Sequence, residues 1–252
     1  MHTSHLEALG PAVPTELATA ASALCEVAGS LIGADETGAI AALELAARLG
    51  GADAALFVWV VPAHDEQAWF RSMAALDHRW GASVLRRLHE GPCNWLAHAA
   101  RFTEPLLVRE PADGSNGSTG SPDSTAKQAA WLVPAPSPKS SDALGLLILA
   151  SDDETSLDTT RPLLPVYRAL ALALSEWFQR QGREELVQRA QLTDRDLDLL
   201  RHEWMGHGSK RIAAALHVEA QTIDCRFHRL NGRLGVANRR EAVRLCQRYG
   251  LL

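Results

Sequence analysis

A run of polar and charged residues near the C-terminus has the spacing of one exposed helix edge. Between residues 220 and 234 the apolar residues Ile223, Phe227, Leu230 and Leu234 recur at intervals of four, three and four. This is the period of a single buried helix face. The side chains between them must therefore point to solvent, and the outermost positions are Gln221, Asp224, Cys225, His228 and Gly232.

Side chains of these types and their arginine neighbours are suited to contacts with nucleic acid. Arginine binds phosphate through a planar fork of N–H donors, whereas short polar side chains hydrogen-bond the edges of bases. We expect phosphate contacts from Arg226, Arg229, Arg233 and Arg239. The residues expected nearest the bases or flanking phosphates are Gln221, Thr222, Asp224, Cys225 and His228, and the predicted set is completed by Lys210, Arg211 and Asn238.

The helix that carries this edge is predicted to be the third of four. Thr193 is the expected N-cap of the first helix, with Asp196 in a capping-box position. Leu197, Leu200 and Trp204 are expected to form its buried face. Breaks are expected at Gly206, Gly208 and Gly235, and Asn238 is the expected cap of the fourth helix. The buried residues expected in the following helices are Ile212, Ala213, Leu216, Ala242, Val243, Cys246 and Tyr249. Two helices joined by a tight turn, the second with an exposed polar edge, are the layout of a helix-turn-helix reader.

Residues 192–252 resemble the C-terminal DNA-binding domain of LuxR-type transcription regulators. The resemblance covers all of this stretch. It implies a DNA-binding regulator whose third helix enters the major groove. The motifs that carry it are LT-x-RD at 192–196, IA-x-x-L at 212–216, LGV at 234–236 and the ending GLL at 250–252.

Single positions within the stretch refine the resemblance. Three positions associated with the family's function correspond to Asp196, where the family usually has glutamate, Leu200 and Gly206. The family often has lysine or arginine where this chain has Asp224 and His228. The resemblance therefore implies a recognition helix that is less basic at its centre. An aspartate there accepts from cytosine N4 or, opposite a phosphate, repels it.

Charge is distributed unevenly along the chain. Residues 192–252 hold eleven arginines and lysines and seven acidic residues, so they carry +4, whereas the whole chain carries −5. Residues 1–191 therefore carry −9. A small basic domain attached to a larger acidic one fits a DNA-binding surface confined to the C-terminus.

The sequence offers no catalytic, metal-binding or cofactor motif, so we expect neither an enzyme nor a cofactor. Its four cysteines lie far apart without a Cys-x-x-Cys pair, which argues against a zinc site. No apolar run approaches the ~20 residues that span a bilayer. The N-terminus lacks the basic and apolar segments of a secretory signal. We therefore expect a cytoplasmic protein.

The residues before the basic domain predict a β-sheet with helices on both faces. Apolar residues at helical spacing indicate helices, and continuous apolar runs indicate buried strands. Helices are expected over 15–32, 36–49, 79–90, 94–101 and 160–183, and strands over 54–62, 68–76, 129–136 and 143–151. The predicted fold class is α+β, an α-β-α sandwich followed by a four-helix domain.

This pattern divides the chain into two domains. Residues 1–183 form the predicted sensor and dimerisation domain, in which the Gly/Ser-rich segment 112–127 is expected to be a mobile loop. Residues 184–191 are the expected linker, and residues 192–252 the helix-turn-helix domain.

The order of elements in the first domain resembles the autoinducer-binding domain of LuxR regulators. Trp80 stands at a tryptophan of that family, but Val84 occupies a tyrosine position and Gly91 that of the aspartate that bonds the lactone amide. Because a buried polar group without its partner costs ~1–3 kcal/mol, we do not expect the usual lactone. Either a small apolar or aromatic ligand or the domain's own rings fill the cavity. The candidate lining residues are Trp59, Trp69, Trp80, Val84, Gly91 and Trp131.

Two functions follow from these expectations. The first is a dimeric LuxR-type transcription regulator, paired through the 160–183 helix, with an additional contact to RNA polymerase. Its operator would be an inverted repeat with half-sites about one turn apart. The alternative is an interaction module that heterodimerises with a LuxR receptor and antagonises it, with weak or no DNA binding of its own. Asp224 and the acidic N-terminal half favour that alternative.

Overall fold

The chain folds into a sheet-based N-terminal domain and a helical C-terminal domain. A computed structural model describes residues 14–61, 69–76, 94–111, 127–136 and 143–252. The helix expected over 79–90 lies outside the described residues, as does the loop expected over 112–127 apart from its last residue.

The N-terminal domain contains four helices and five strands among its described residues. In chain order they are α1 (Thr15–Ser30), α2 (Glu36–Leu49), β1 (Ala54–Val61), β2 (Trp69–Leu76), α3 (Asn94–Arg101), β3 (Leu106–Pro111), β4 (Lys127–Pro136), β5 (Leu144–Ser151) and α4 (Leu164–Arg189). Two 3₁₀ turns, Glu154–Thr159 and Arg161–Leu163, join β5 to α4. The C-terminal domain contains α5 (Asp194–Trp204), α6 (Ser209–Ala215), α7 (Ala220–Leu234) and α8 (Arg239–Arg248).

The sheet has the strand order β2-β1-β5-β4-β3, and neighbouring strands are antiparallel. Alternate side chains of β1 point to opposite faces. Phe57 and Trp59 pack with α1, α2 and α4, whereas Leu56 and Val58 pack with Trp95 of α3. Because both faces are covered, β1 is buried along its whole length. The predicted α-β-α sandwich is confirmed.

The long helix α4 belongs to both hydrophobic cores. Its residues Leu170 and Leu174 lie in the core against the sheet, whereas Leu186, with Ala190 just after the helix, lies in the core of the C-terminal domain. The helix therefore continues to Arg189 through most of the residues expected as a linker. The sequence places its end near residue 183, but its packing in the second core keeps the helix intact beyond that point.

The last residues of the chain pack against α4 and β1. The ring of Tyr249 meets Trp59 edge-on, with 6.1 Å between the ring centroids. A Cβ atom at Gly182 would lie 2.9 Å from the Tyr249 ring, so only glycine permits this approach. Arg183 donates a hydrogen bond of 2.7 Å to the carbonyl oxygen of Gly250. These contacts hold the C-terminal domain against the sheet domain.

One residue expected in the core is exposed. Trp204 was expected to be buried with Leu200, but it is 57% exposed. It is the last residue of α5, and the chain turns immediately afterwards at Gly206, whose φ is +73°. The ring therefore extends past the end of the domain core, and Leu199 is buried beside Leu200 instead.

Replacing Gly182 by alanine should destabilise the protein, although alanine normally stabilises a helix interior by ~1 kcal/mol relative to glycine. The added Cβ would overlap the Tyr249 ring, and such overpacking typically costs ~1–3 kcal/mol. We expect a lower free energy of unfolding in urea. Gly232→Ala in α7 is the matched control, since nothing lies within 4 Å of its Cβ. Equal stabilisation by both substitutions would contradict a close contact between α4 and Tyr249.

Candidate nucleic-acid interface

Helices α6 and α7 form a helix-turn-helix in which α7 is the exposed second helix. The turn contains His217 in the left-handed region, at a φ of +52°. Its closing hydrogen bond runs from the Val218 amide to the Ala213 carbonyl at 3.0 Å. Ile212 of α6 and Ile223 of α7 are fully buried in the same core. The turn and this core fix the direction of α7 relative to α6.

The outer edge of α7 presents the side chains predicted to lie nearest the bases. The four apolar residues expected on its inner face are buried, which confirms the periodicity argument. Gly235 ends the helix in the left-handed conformation, with a φ of +69°, as predicted. The exposed positions include Gln221, Asp224, Cys225 and His228.

One side of α7 borders a groove lined by arginines. The groove lies between α7 and the first turns of α5 and has a volume of about 660 Å³. Four guanidinium groups and one carboxylate lie along it, so its charge is positive. The lining residues are Thr193, Arg195, Asp196, Leu199, Arg226, Arg229, Gly232 and Arg233. Arg195 was not predicted as a contact. The sequence feature that could have indicated this contact is its position in the first turn of α5, one residue before Asp196.

Asp196 ties α5 to α7. Its carboxylate accepts a hydrogen bond of 3.0 Å from the Thr193 amide, and its own amide donates to the Thr193 hydroxyl, which confirms the predicted capping box. Arg233 forms an ion pair of 2.8 Å with the same carboxylate and donates to the Gln191 carbonyl at 2.7 Å. Arg233, expected to contact phosphate, is therefore engaged within the protein.

The environment of Asp196 has two opposing effects on the pKa of its carboxyl group. Partial burial raises the pKa of the carboxyl group, whereas the hydrogen bonds from Arg233 and Thr193 lower it, and the net effect is a lowered pKa. The folded protein therefore favours the charged form of Asp196 more strongly than the unfolded chain does.

Asp224 lies on the other side of α7, where its carboxylate is bonded within the domain. Ser209, the first residue of α6, donates its hydroxyl to the carboxylate at 2.7 Å. Arg239, the first residue of α8, forms an ion pair with the same oxygen and lies 4.2 Å over the Phe227 ring. The hydrogen bonds from Ser209 and Arg239 lower the pKa of the Asp224 carboxyl group. No sequence pattern predicts this cluster, because its members meet only through tertiary packing.

The other predicted contacts have separate positions. Asn238 caps α8, with its side-chain oxygen accepting from the Glu241 amide at 3.0 Å. Lys210 and Arg211 are exposed at the start of α6. Thr222 is half-buried, on the same side of α7 as the arginine groove.

The candidate ligand residues of the sheet domain are only partly described. Trp59 and Trp131 are 1% and 6% exposed, on the sheet face that α1, α2 and α4 cover. The indole of Trp131 donates to the Leu157 carbonyl at 3.3 Å. Trp69 begins β2 and pairs with Val61. The remaining candidates, Trp80, Val84 and Gly91, lie outside the described residues.

The part of the chain that the structure describes contains no candidate metal site and no candidate membrane-spanning helix. No group of three or more His, Cys, Asp or Glu side chains there could hold a metal ion. None of the described helices is both long and apolar enough to cross a membrane.

The C-terminal domain matches a known protein family. The family described as bacterial regulatory proteins, luxR family, matches residues 190–246. Residues 190–246 are a LuxR-family regulatory domain. The predicted resemblance is thereby confirmed for the helix-turn-helix, and the family is one of regulators rather than enzymes. No curated protein matches the chain.

Solved structures of similar fold cover both the N-terminal and the C-terminal domain. Escherichia coli SdiA is 14% identical, with a TM-score of 0.60 over 91% of this chain and 98% of that one. SdiA in complex with octanoyl-rac-glycerol is also 14% identical, with a TM-score of 0.59 over 94% and 96% of the two chains. At this identity the likeness is one of fold. It supports the α+β assignment of the whole chain.

The Asp196 contacts predict a stability difference that depends on pH. Asp196→Ala removes both the capping-box acceptor and the partner of Arg233, and should lower the free energy of unfolding by about 1–2 kcal/mol at pH 7. A depressed pKa contributes stability above the ordinary value of 3.8 that is lost as the pH falls through the folded-state pKa. The difference from native protein should therefore shrink below about pH 4.

Asp198→Ala is the matched control for this prediction, measured by denaturant titration at several pH values. Asp198 lies on the same helix and pairs with Arg201, but its side chain is 55% exposed. We expect a much smaller loss of stability for it. Losses of equal size in the two variants would show that the capping box and the Arg233 pair contribute nothing beyond an ordinary surface charge.

Proposed function

We propose that the protein is a transcription regulator that binds DNA through α7, as a dimer on an inverted repeat. The observation that supports this most directly is the exposed polar edge of α7 beside a groove lined by four arginines. In a helix-turn-helix the second helix enters the major groove, and flanking cations contact phosphates. Arg195, Arg226 and Arg229 suit that flanking position.

The alternative function, an antagonist that pairs with a related regulator, is favoured by two features, the carboxylate of Asp224 and the acidic N-terminal half of the chain. Since Arg239 forms an ion pair with the Asp224 carboxylate, the two side chains together carry no net charge. The recognition helix therefore repels phosphate less than its sequence implies. This favours DNA binding over the antagonist function.

We propose that the dimer forms through the exposed edge of α4. Leu172 is 41% exposed at the centre of this edge, and the neighbouring Arg168, Ala169 and Glu176 are also exposed. In a two-fold pair of antiparallel helices that cross at Leu172, Arg168 of each copy would lie near the other copy's Glu176. Such a surface is self-complementary, as an isologous interface requires.

For the sheet domain we propose a small apolar ligand in place of a lactone. The buried cluster on the sheet face beneath α3, opposite the face that carries Trp59 and Trp131, is apolar, with alanines at 54, 130 and 150. An acyl chain or aromatic ring suits such a surface, whereas the amide of a lactone needs polar partners. The binding of octanoyl-rac-glycerol by SdiA is consistent with a ligand of this kind.

The DNA-binding proposal predicts binding without an added ligand. Selection of duplexes from a random pool by the purified full chain should enrich an inverted repeat with half-site centres about 10 base pairs apart. Arg229→Ala should weaken binding to all sequences and reduce the salt slope by about one unit. Arg201→Ala, on the solvent side of α5, is the control. If the pool shows no enrichment at any salt concentration, the antagonist function is the better description.

The dimer proposal predicts that Leu172→Asp separates the two copies. Two added carboxylates would face one another across an apolar contact, so the dissociation constant should rise at least tenfold, since burying unpaired charge costs more than ~1.4 kcal/mol. Analytical ultracentrifugation of the full chain measures this change. Phe102→Asp is the control, because Phe102 is 51% exposed just after α3, which covers the sheet face opposite α4. A dimer unaffected by Leu172→Asp would exclude this edge as the interface.

A further inference from the structure

Three helices of the C-terminal domain meet at the cluster formed by Ser209, Asp224 and Arg239. One guanidinium nitrogen of Arg239 forms an ion pair with the Asp224 carboxylate, and another donates to the Ser209 oxygen at 2.8 Å. The Ser209 hydroxyl in turn donates to the same carboxylate oxygen at 2.7 Å. Each of the three side chains therefore contacts the other two.

Two of the three side chains, Ser209 and Arg239, are less exposed than Asp224. The guanidinium of Arg239 lies 4.2 Å over the ring of Phe227, which is 1% exposed and fixed in the core. Ser209 is the first residue of α6 and half-buried. The Asp224 side chain, by contrast, is 58% exposed. The two donors are therefore partly enclosed by the domain, while the acceptor lies at the surface.

We propose that Ser209 and Arg239 form an anion-binding site for a DNA phosphate, and that the Asp224 carboxylate occupies this site when DNA is absent. This inference rests on the proposed function. It adds Ser209 and the competing carboxylate of Asp224 to the phosphate contact expected of Arg239. A phosphate oxygen accepts the same bonds from a hydroxyl and a guanidinium as a carboxylate oxygen does. Asp224 acts as an internal competitor that lowers the affinity for DNA regardless of its sequence.

The position of the cluster fits this role. Asp224 lies one residue before Cys225, which is on the outermost edge of α7. A helix in the major groove has a phosphate backbone on each side. The arginine groove lies along one side of α7, and the Ser209–Arg239 site lies along the other. An exposed ion pair is weak, so a phosphate held close by the other contacts can displace the carboxylate.

The first experiment tests the site with inorganic phosphate and needs no DNA. Asp224→Ala vacates the site, and Asp198→Ala removes an equally exposed, arginine-paired carboxylate elsewhere in the domain. At constant ionic strength, replacing chloride by phosphate should raise the melting temperature of the Asp224→Ala full chain more than that of native protein or Asp198→Ala. An identical phosphate response in the three proteins would overturn the proposal.

The second experiment measures binding to a duplex of arbitrary sequence over a range of salt concentrations. Asp224→Ala should bind about eightfold more tightly than native protein at 0.1 M salt, with a salt slope steeper by about 0.9, as one additional phosphate contact requires. The gain must disappear in Asp224→Ala/Arg239→Gln. Replacing Arg239 also removes its packing on Phe227. The variant Asp224→Ala/Ser209→Ala therefore tests the same site with the guanidinium retained, and it should lose part of the gain in affinity. A gain that persists in both double variants would mean that Asp224 acts only through its charge, which overturns the proposal.

The two experiments separate this inference from the proposed function. If neither native protein nor any variant binds DNA, the proposed function fails, while the phosphate response still decides whether the anion site exists. If DNA binds natively but Asp224→Ala changes only the preferred base at one position per half-site, Asp224 reads a base and the internal-competitor inference is wrong.

Discussion

The helix α4 is the element on which both hydrophobic cores depend. Its first half is buried against the sheet, and its last turn is buried among α5, α7 and α8. Since a continuous helix is stiff over this length, the C-terminal domain cannot rotate about a flexible connection. The contact of Tyr249 with Gly182 and Trp59 adds a second attachment beside the first. Any change that displaces α4 relative to the sheet must therefore displace the recognition helix α7 with it.

The C-terminal domain distributes charge on α7 in a way that its sequence does not reveal. Arginines line the groove on one side, while the negative charge on the other side is neutralised by Arg239. The exposed edge between the two sides carries Gln221, Cys225 and His228. These side chains are short or uncharged, so they suit hydrogen bonding to bases better than attraction to phosphate. Under the proposed function, affinity and sequence preference would belong to different faces of one helix.

Local features of the sequence were sufficient to predict most of the fold. The buried face of α7, the capping box at Thr193 and the ending at Gly235 depend on residues within one or two helical turns of each other, and periodicity captures them. The ion pair between Asp224 and Arg239 joins residues 15 positions apart on two helices, and no local pattern encodes it. The same reason explains the end of α4. The expected end near residue 183 uses only neighbouring residues, whereas Leu186 beyond it is buried among residues of the C-terminal domain.

The length of α4 relates the proposed dimer interface to the spacing of the two DNA-binding domains. If two copies cross at Leu172, each C-terminal core begins 14 residues further along the helix, at Leu186. At a rise of 1.5 Å per residue this is about 21 Å from the crossing point, so the two attachment points lie about 42 Å apart when the helices are antiparallel. Half-sites one turn apart on DNA are separated by about 34–36 Å. These two separations are similar in size. A crossing angle between the helices would shorten the distance between the attachment points toward the spacing of the half-sites. In the proposed dimer, a ligand that changed this angle would change the spacing of the two α7 helices, because α4 leaves no flexible joint that could absorb the change.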